Sequence, residues 1–181
     1  MKKRAGEHGQ PRLRIFVLDC EALSLAVRGD RKMIAWLDLA ARGEAEVVTS
    51  PMTLVEAYDG RTTDQRWDWV LSRLKVPETG KDEARQARRL LADAKLHGHK
   101  YAVDAVLAVI ARQQKGQVTV FTSDVDDLER LVPESIVVRK VCPAADSRRG
   151  QPMSSRRASG AHRPPAAPFR VTSSALPVRH P

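Results

Sequence analysis

The sequence predicts an α/β fold: a three-layer α/β/α domain over residues 13–142, built on a parallel sheet of about five strands. Two observations carry this expectation. Short apolar or β-branched runs alternate with longer stretches of helical periodicity, the signature of βαβ units. The runs themselves, LRIFVL at 13–18 and VTVF at 118–121, are mostly apolar rather than strictly alternating, as strands buried on both faces are. Composition breaks at both ends set the limits. Residues 1–12 are polar and basic. After Cys142 the chain becomes rich in Pro, Ser, Ala and Arg with no apolar period. Such a segment buries too little surface to offset the entropy of ordering, so 1–12 and 143–181 are expected to be disordered.

The elements follow in order. Leu13–Leu18 is a strand that ends at Asp19. Residues 30–42 place Ile34, Leu37 and Ala41 at helical spacing, and Gly43 stops them. Glu46–Thr49 is a second strand. Ser50-Pro51 then opens a helix running to Tyr58, with Ser as N-cap and Pro at the first helical position. Thr62–Leu74 is a further helix, with Thr62 and Gln65 spaced as a capping box. Leu74–Val76 is a short edge strand that Pro77 ends. Thr79–His97 is a long amphipathic helix closed by Gly98, and Tyr101–Gln114 another, closed near Gly116. Val118–Phe121 is a strongly β-branched strand. Asp124–Leu131 is a short helix, and Ser135–Val141 the last strand.

Charge is less informative than its total suggests. The 181 residues carry a formal net charge of +9. Residues 1–14 hold five Lys/Arg against Glu7, and 143–181 hold seven Arg against Asp146. The 128 residues between them have 19 basic and 20 acidic groups. The basicity is therefore terminal, and no basic stripe marks the central part as a nucleic-acid binder. Cys20 and Cys142 make no disulfide framework and no zinc spacing; two reduced, buried thiols are expected. No apolar run reaches the ~18–20 residues of a membrane span, and the N-terminus lacks a signal-peptide core. A cytoplasmic protein is the expectation.

In open parallel sheets, ligands bind at the carboxyl ends of the strands. Asp19 follows the first strand, and Asp124 follows VTVF-Thr122-Ser123. Glu56 lies in the helix after the second strand. Asp104 lies beside the apolar stripe Val103, Val106, Leu107 and Ile110, with small Ala108 and Ala111 one and two turns on. Each acid has an ordinary explanation when taken singly. An Asp after a strand caps a helix, Glu56 is a solvated helix residue, Asp126, Asp127 and Glu129 face a helix dipole, and Asp104 pairs with Lys100 one turn earlier. Taken together, four acids at separate strand ends and helix faces lack a matching set of cations. Clustered carboxylates repel unless a cation neutralises them, and Mg²⁺ or Mn²⁺ prefers such hard oxygen ligands. A metal held there serves phosphodiester hydrolysis.

At these residues the sequence resembles the PIN-domain family, especially VapC-like toxins of toxin–antitoxin pairs. The resemblance runs through IFVLDCEAL, SPMTLVEAY, AVDAVLAVIA and VTVFTSDVDDLERL and covers most of 13–142. It implies an acidic set of Asp19, Glu56, Asp104 and Asp124, with Asp127 as a further metal ligand and Thr122 as the hydroxyl that orders the site. It also implies a Mg²⁺- or Mn²⁺-dependent endoribonuclease acting on RNA, a homodimer, and a small antitoxin covering the active site. Cys20-Glu21 departs from the family, where many members carry a small hydroxyl residue. Haloacid-dehalogenase-like phosphatases also place an Asp after a first strand, but follow it two residues later with a second Asp; here that position is Glu21. The alternative function is a degenerate PIN domain that binds protein or RNA without catalysis.

Overall fold

The first strand alternates Phe16 and Leu18 with Ile15 and Val17, and all four are buried, so each sheet face must be covered. In the computed structural model it is. The structure describes residues 13–142; the terminal segments expected to be disordered, 1–12 and 143–181, lie outside the described residues. Four strands form one parallel sheet: β1 (Arg14–Leu18), β2 (Glu46–Val48), β3 (Gln117–Thr122) and β4 (Val137–Lys140), in the order β2-β1-β3-β4. The expected fifth strand at Leu74–Val76 is reduced to a single bridge. Lys75 N–H donates to the Val47 carbonyl and Thr49 N–H to the Lys75 carbonyl, but Pro77 has no N–H with which to extend the ladder.

Seven helices complete the described chain: α1 (Cys20–Arg28), α2 (Arg31–Ala41), α3 (Pro51–Glu56), α4 (Asp64–Leu71), α5 (Lys81–Asp93), α6 (Gly98–Gln113) and α7 (Val125–Glu129). On one sheet face Phe16, Leu18, Val47 and Phe121 pack with Leu23, Met33, Leu37 and Val70 from α1, α2 and α4. On the other, Ile15, Val17, Val48, Val118 and Val120 pack with Leu107 and Ile110 of α6 and Leu128 of α7. α5 lies outside α6, sharing a third cluster through Ala87, Leu91, Ala105, Ala108 and Val109. The α/β/α layering is thus the one the sequence implies.

Local chemistry moved several boundaries. Helix α1 is not announced by periodicity. It is bounded by the Asp19 cap and by Gly29, whose φ of 91° is a left-handed conformation natural to glycine. Helix α4 is capped by Thr63 rather than Thr62, because Asp59 takes the N–H groups of Arg61 and Thr62 into a turn. Helix α5 ends at Asp93, well before Gly98. Lys95 adopts φ 54°, so Leu96 N–H returns to the Leu91 carbonyl and Lys95 N–H to that of Ala92. Gly98 therefore begins α6 instead of closing α5. Gly116 sits where β3 first meets β1, and an added Cβ there would run into the Leu13 carbonyl. Both cysteines are free, as expected, but Cys20 is only half-buried and Cys142 is exposed.

Candidate active site

The strand order contains one reversal. The chain passes from β1 to β2 on one side, then returns to place β3 on the other side of β1. A crevice opens at the carboxyl ends of strands that diverge in this way. The residues following β1 and β3 are Asp19 and the Ser123-Asp124 pair. A cleft of about 310 Å³ lies there, lined by Asp19, Glu56, Asp104, Asp124 and Asp127, so the structure brings all five candidate acids to one place. Other hollows are larger, but the one of about 480 Å³ beside β4 contains no acid.

Asp19 is the anchor of the strand-end wall. Its Oδ1 accepts the Ala22 N–H at 2.8 Å, capping α1, and its Oδ2 accepts the Ser123 N–H at 3.0 Å. Its own N–H donates to the Phe121 carbonyl at 3.0 Å. Asp19 is 8% exposed. Burial pushes its pKa up, opposed by hydrogen bonds from Ala22, the Thr122 hydroxyl and Ser123. The cap explanation thus holds for Asp19, and the same carboxylate also ties β1 to the end of β3. Thr122 is buried, and its Oγ1 accepts the Asp124 N–H at 2.9 Å. Asp124 occupies the N-cap position of α7 but makes no side-chain cap. A capping role therefore does not account for its carboxylate.

The helix wall differs. Ser50 Oγ accepts the Thr53 N–H at 2.9 Å and shares a hydrogen bond with the Thr53 hydroxyl, fixing the start of α3. This places Glu56, exposed, at the end of α3 and on the cleft. Asp104 lies on α6, next to the buried face that holds Leu107. Its pKa is raised to about 6, first by desolvation, then by the charges of Glu56, Asp19, Asp127 and Asp124. Lys100 does not relieve it. That ammonium lies 3.7 Å from Asp127 Oδ2, and among the described residues Asp104 has no ion pair. The Cys20 thiol is pushed up to about 11 by burial and by Glu56 and Asp19, so it is no thiolate nucleophile.

The donor set is oxygen-rich and anionic, and its mutual repulsion, felt most at Asp104, is the situation a hard divalent cation relieves. The residues fit such an ion by chemistry. They do not form a finished cage: among the described residues no three acids, His or Cys converge as metal ligands in their present rotamers. Thr53, Lys100, Tyr101 and Ser123 also line the cleft and lie outside the expected site set. Ser123 acts through its backbone N–H, for which side-chain identity gives no signal. Lys100 and Tyr101, one turn before Asp104, had a signal in that spacing.

No protein-family model and no curated protein matches the chain. Solved structures do: 13 chains match. The structure of VapBC2 from Rickettsia felis bound to a DNA fragment from their promoter aligns with a TM-score of 0.51 at 15% identity, over 71% of this chain and 99% of that one. The domain has a PIN-like fold. PAE2754 from Pyrobaculum aerophilum aligns at a TM-score of 0.47 and 18% identity, over 70% of this chain and 92% of that chain. At 15% identity the likeness to VapBC2 extends to the fold alone, and fold by itself does not fix chemistry.

Proposed function

We propose that this PIN-like domain is a Mg²⁺- or Mn²⁺-dependent endoribonuclease of the cytoplasm, working as the toxin of a toxin–antitoxin pair and held in check by a small antitoxin. The observation that carries the reading is Asp104. A half-buried carboxylate, without an ion-pair partner among the described residues and pushed towards neutrality by burial and then by four neighbouring acids, sits at the switch point of a parallel sheet. Asp19, Glu56, Asp104 and Asp124 would hold the ion, with Asp127 within reach. The bound ion would supply charge neutralisation for the phosphate and a more acidic water. Asp19 keeps its orientation through Ala22 and Ser123, and Thr122 fixes the backbone of Asp124. Glu56, exposed and on the cleft, would accept a proton from an attacking water. The antitoxin finds support in the VapBC2 neighbour, whose partner and promoter DNA are its own. A homodimer remains part of this reading.

A second reading has one observation behind it. Because no three potential ligands converge among the described residues, a PIN-like module that binds without cutting would look the same. Incubating a mixed RNA pool with purified protein decides between them. Cleavage that appears with Mn²⁺ and disappears with EDTA is expected. Intact RNA together with retained binding would sink the nuclease reading in favour of the binding module.

A further inference from the structure

The cleft is lined by six carboxylates, the five candidate acids and Glu21, and by a single cation among the described residues, Lys100. Lys100 is in the first turn of α6, where the helix dipole disfavours positive charge, so helix stability does not explain it. It stands one turn before Asp104, the ordinary spacing for a helical ion pair, yet it turns to α7 instead. Its ammonium donates to Tyr101 Oη at 2.9 Å and lies over the Tyr101 ring at 4.5 Å. It stops 3.7 Å from Asp127 Oδ2, inside ion-pair range but too long for a strong charge-assisted hydrogen bond. The Lys100 side chain is 67% exposed, whereas that of Asp127 is 16% exposed. The arrangement is an exposed ammonium resting against a largely buried acid.

We propose that Lys100 is a built-in counter-ion for Asp127, which a divalent cation displaces, and that the released ammonium then takes an RNA phosphate at the cleft mouth. The proposal rests on the metal-nuclease reading of the same cleft. A divalent ion neutralises several carboxylates at once, whereas one ammonium contacts one, so the divalent ion wins Asp127 once it is bound. Lysine suits the exchange, since its compact charge rides on a flexible four-carbon stem. The consequence is an ordered site. Without metal, the excess of carboxylates repels a polyanion and Lys100 is occupied. With metal, the repulsion falls and a free ammonium faces the solvent.

Mn²⁺ titration of the full chain, followed calorimetrically for the parent, Lys100→Gln, Asp127→Asn and the double variant, tests this. Lys100→Gln removes the competitor, so Mn²⁺ should bind about two- to fivefold more tightly, the range an exposed ion pair spans. That gain should vanish in the Asp127→Asn background, because the competition is for Asp127. A gain of equal size in both backgrounds would mean a general charge effect and overturns the exchange. At saturating Mn²⁺, Lys100→Gln should raise KM for a short oligoribonucleotide by more than it lowers kcat, and an unchanged KM overturns the phosphate role. If the parent binds no Mn²⁺, the metal reading falls and this inference with it. If the parent binds Mn²⁺ and Lys100→Gln leaves the affinity unchanged, this inference alone falls.

Discussion

The two walls of the cleft are built on opposite principles. On the strand-end wall the anchoring acid, Asp19, is satisfied. Both oxygens of Asp19 accept backbone N–H groups, Thr122 holds the Asp124 amide, and β1 is thereby stitched to β3. The helix wall is not. Asp104 is drawn out of water by the packing of α6, faces four other acids and has no ion-pair partner among the described residues. Buried polar groups that are paired hold shape, whereas an unpaired charge stores a cost that a proton or a cation can remove. On the proposed reading both walls contribute ligands, with Asp19 holding the site's shape and Asp104 the group with most to gain from a bound cation.

The sharpest way to break this contrast is Asp104→Asn. The change is nearly isosteric and removes a charge that destabilises the fold, so the melting temperature should hold or rise. Metal-dependent RNA cleavage should fall by about 10²–10³-fold, the loss typical of removing a group that acts on the transition state. An Asn variant that cuts RNA at the parent rate would take Asp104 out of the site.

Metal should act through the same wall. Binding to the folded state alone stabilises by about 2.7 kcal/mol at a hundredfold excess over Kd, a rise on the order of 10 °C for a domain of this size. Melting curves in EDTA and in excess Mn²⁺ measure it. Identical curves for the parent would count against a carboxylate metal site, and the shift should shrink in Asp104→Asn.

The opposite wall should respond in stability. Asp19→Ala leaves the Ala22 and Ser123 N–H groups without their acceptor, at a cost of about 1–3 kcal/mol. Urea unfolding would register this loss even in EDTA. A variant as stable as the parent would show that Asp19 does not hold the site's shape.

The smallest effect is a pH dependence. Asp104 has a folded pKa of about 6 against an ordinary 3.8. Between those values the folded state binds its proton before the unfolded state does. Metal-free stability therefore gains a contribution as pH falls from about 6 towards 4, and loses it as pH rises back through 6. Burial moves Asp19 in the same direction. Comparing denaturation midpoints at pH 4.5 and 7 for the parent and Asp104→Asn isolates the Asp104 share, since the Asn variant should show the shallower dependence.

What was legible in the sequence was local. The apolar run at 13–18 announced a strand buried on both faces, and Ser50-Pro51 announced the start of α3. The alternation of periods gave the α/β layering. Boundaries slipped where a backbone choice overrode a residue preference. Lys95 took a left-handed conformation, so Gly98 was not needed as a stop, and Asp59 captured the Thr62 amide, so the cap moved to Thr63.

By itself, the sequence determined which acids follow strands and which helix carries Asp104, because strand and helix periods are properties of neighbouring residues. Only the tertiary structure decided their roles. Asp19 is clamped by a backbone N–H 104 residues away, a contact that no side-chain pattern encodes. Asp124, a natural cap by position, leaves its helix uncapped. Lys100, spaced along the helix to pair with Asp104, pairs with Asp127 instead, because α6 packs against α7 at the end of β3 and brings a second acid within reach. Asp104 is thereby left without an ion pair among the described residues, since an ion pair forms with whichever acid the packing of the helices brings nearest, and spacing along one helix cannot specify that.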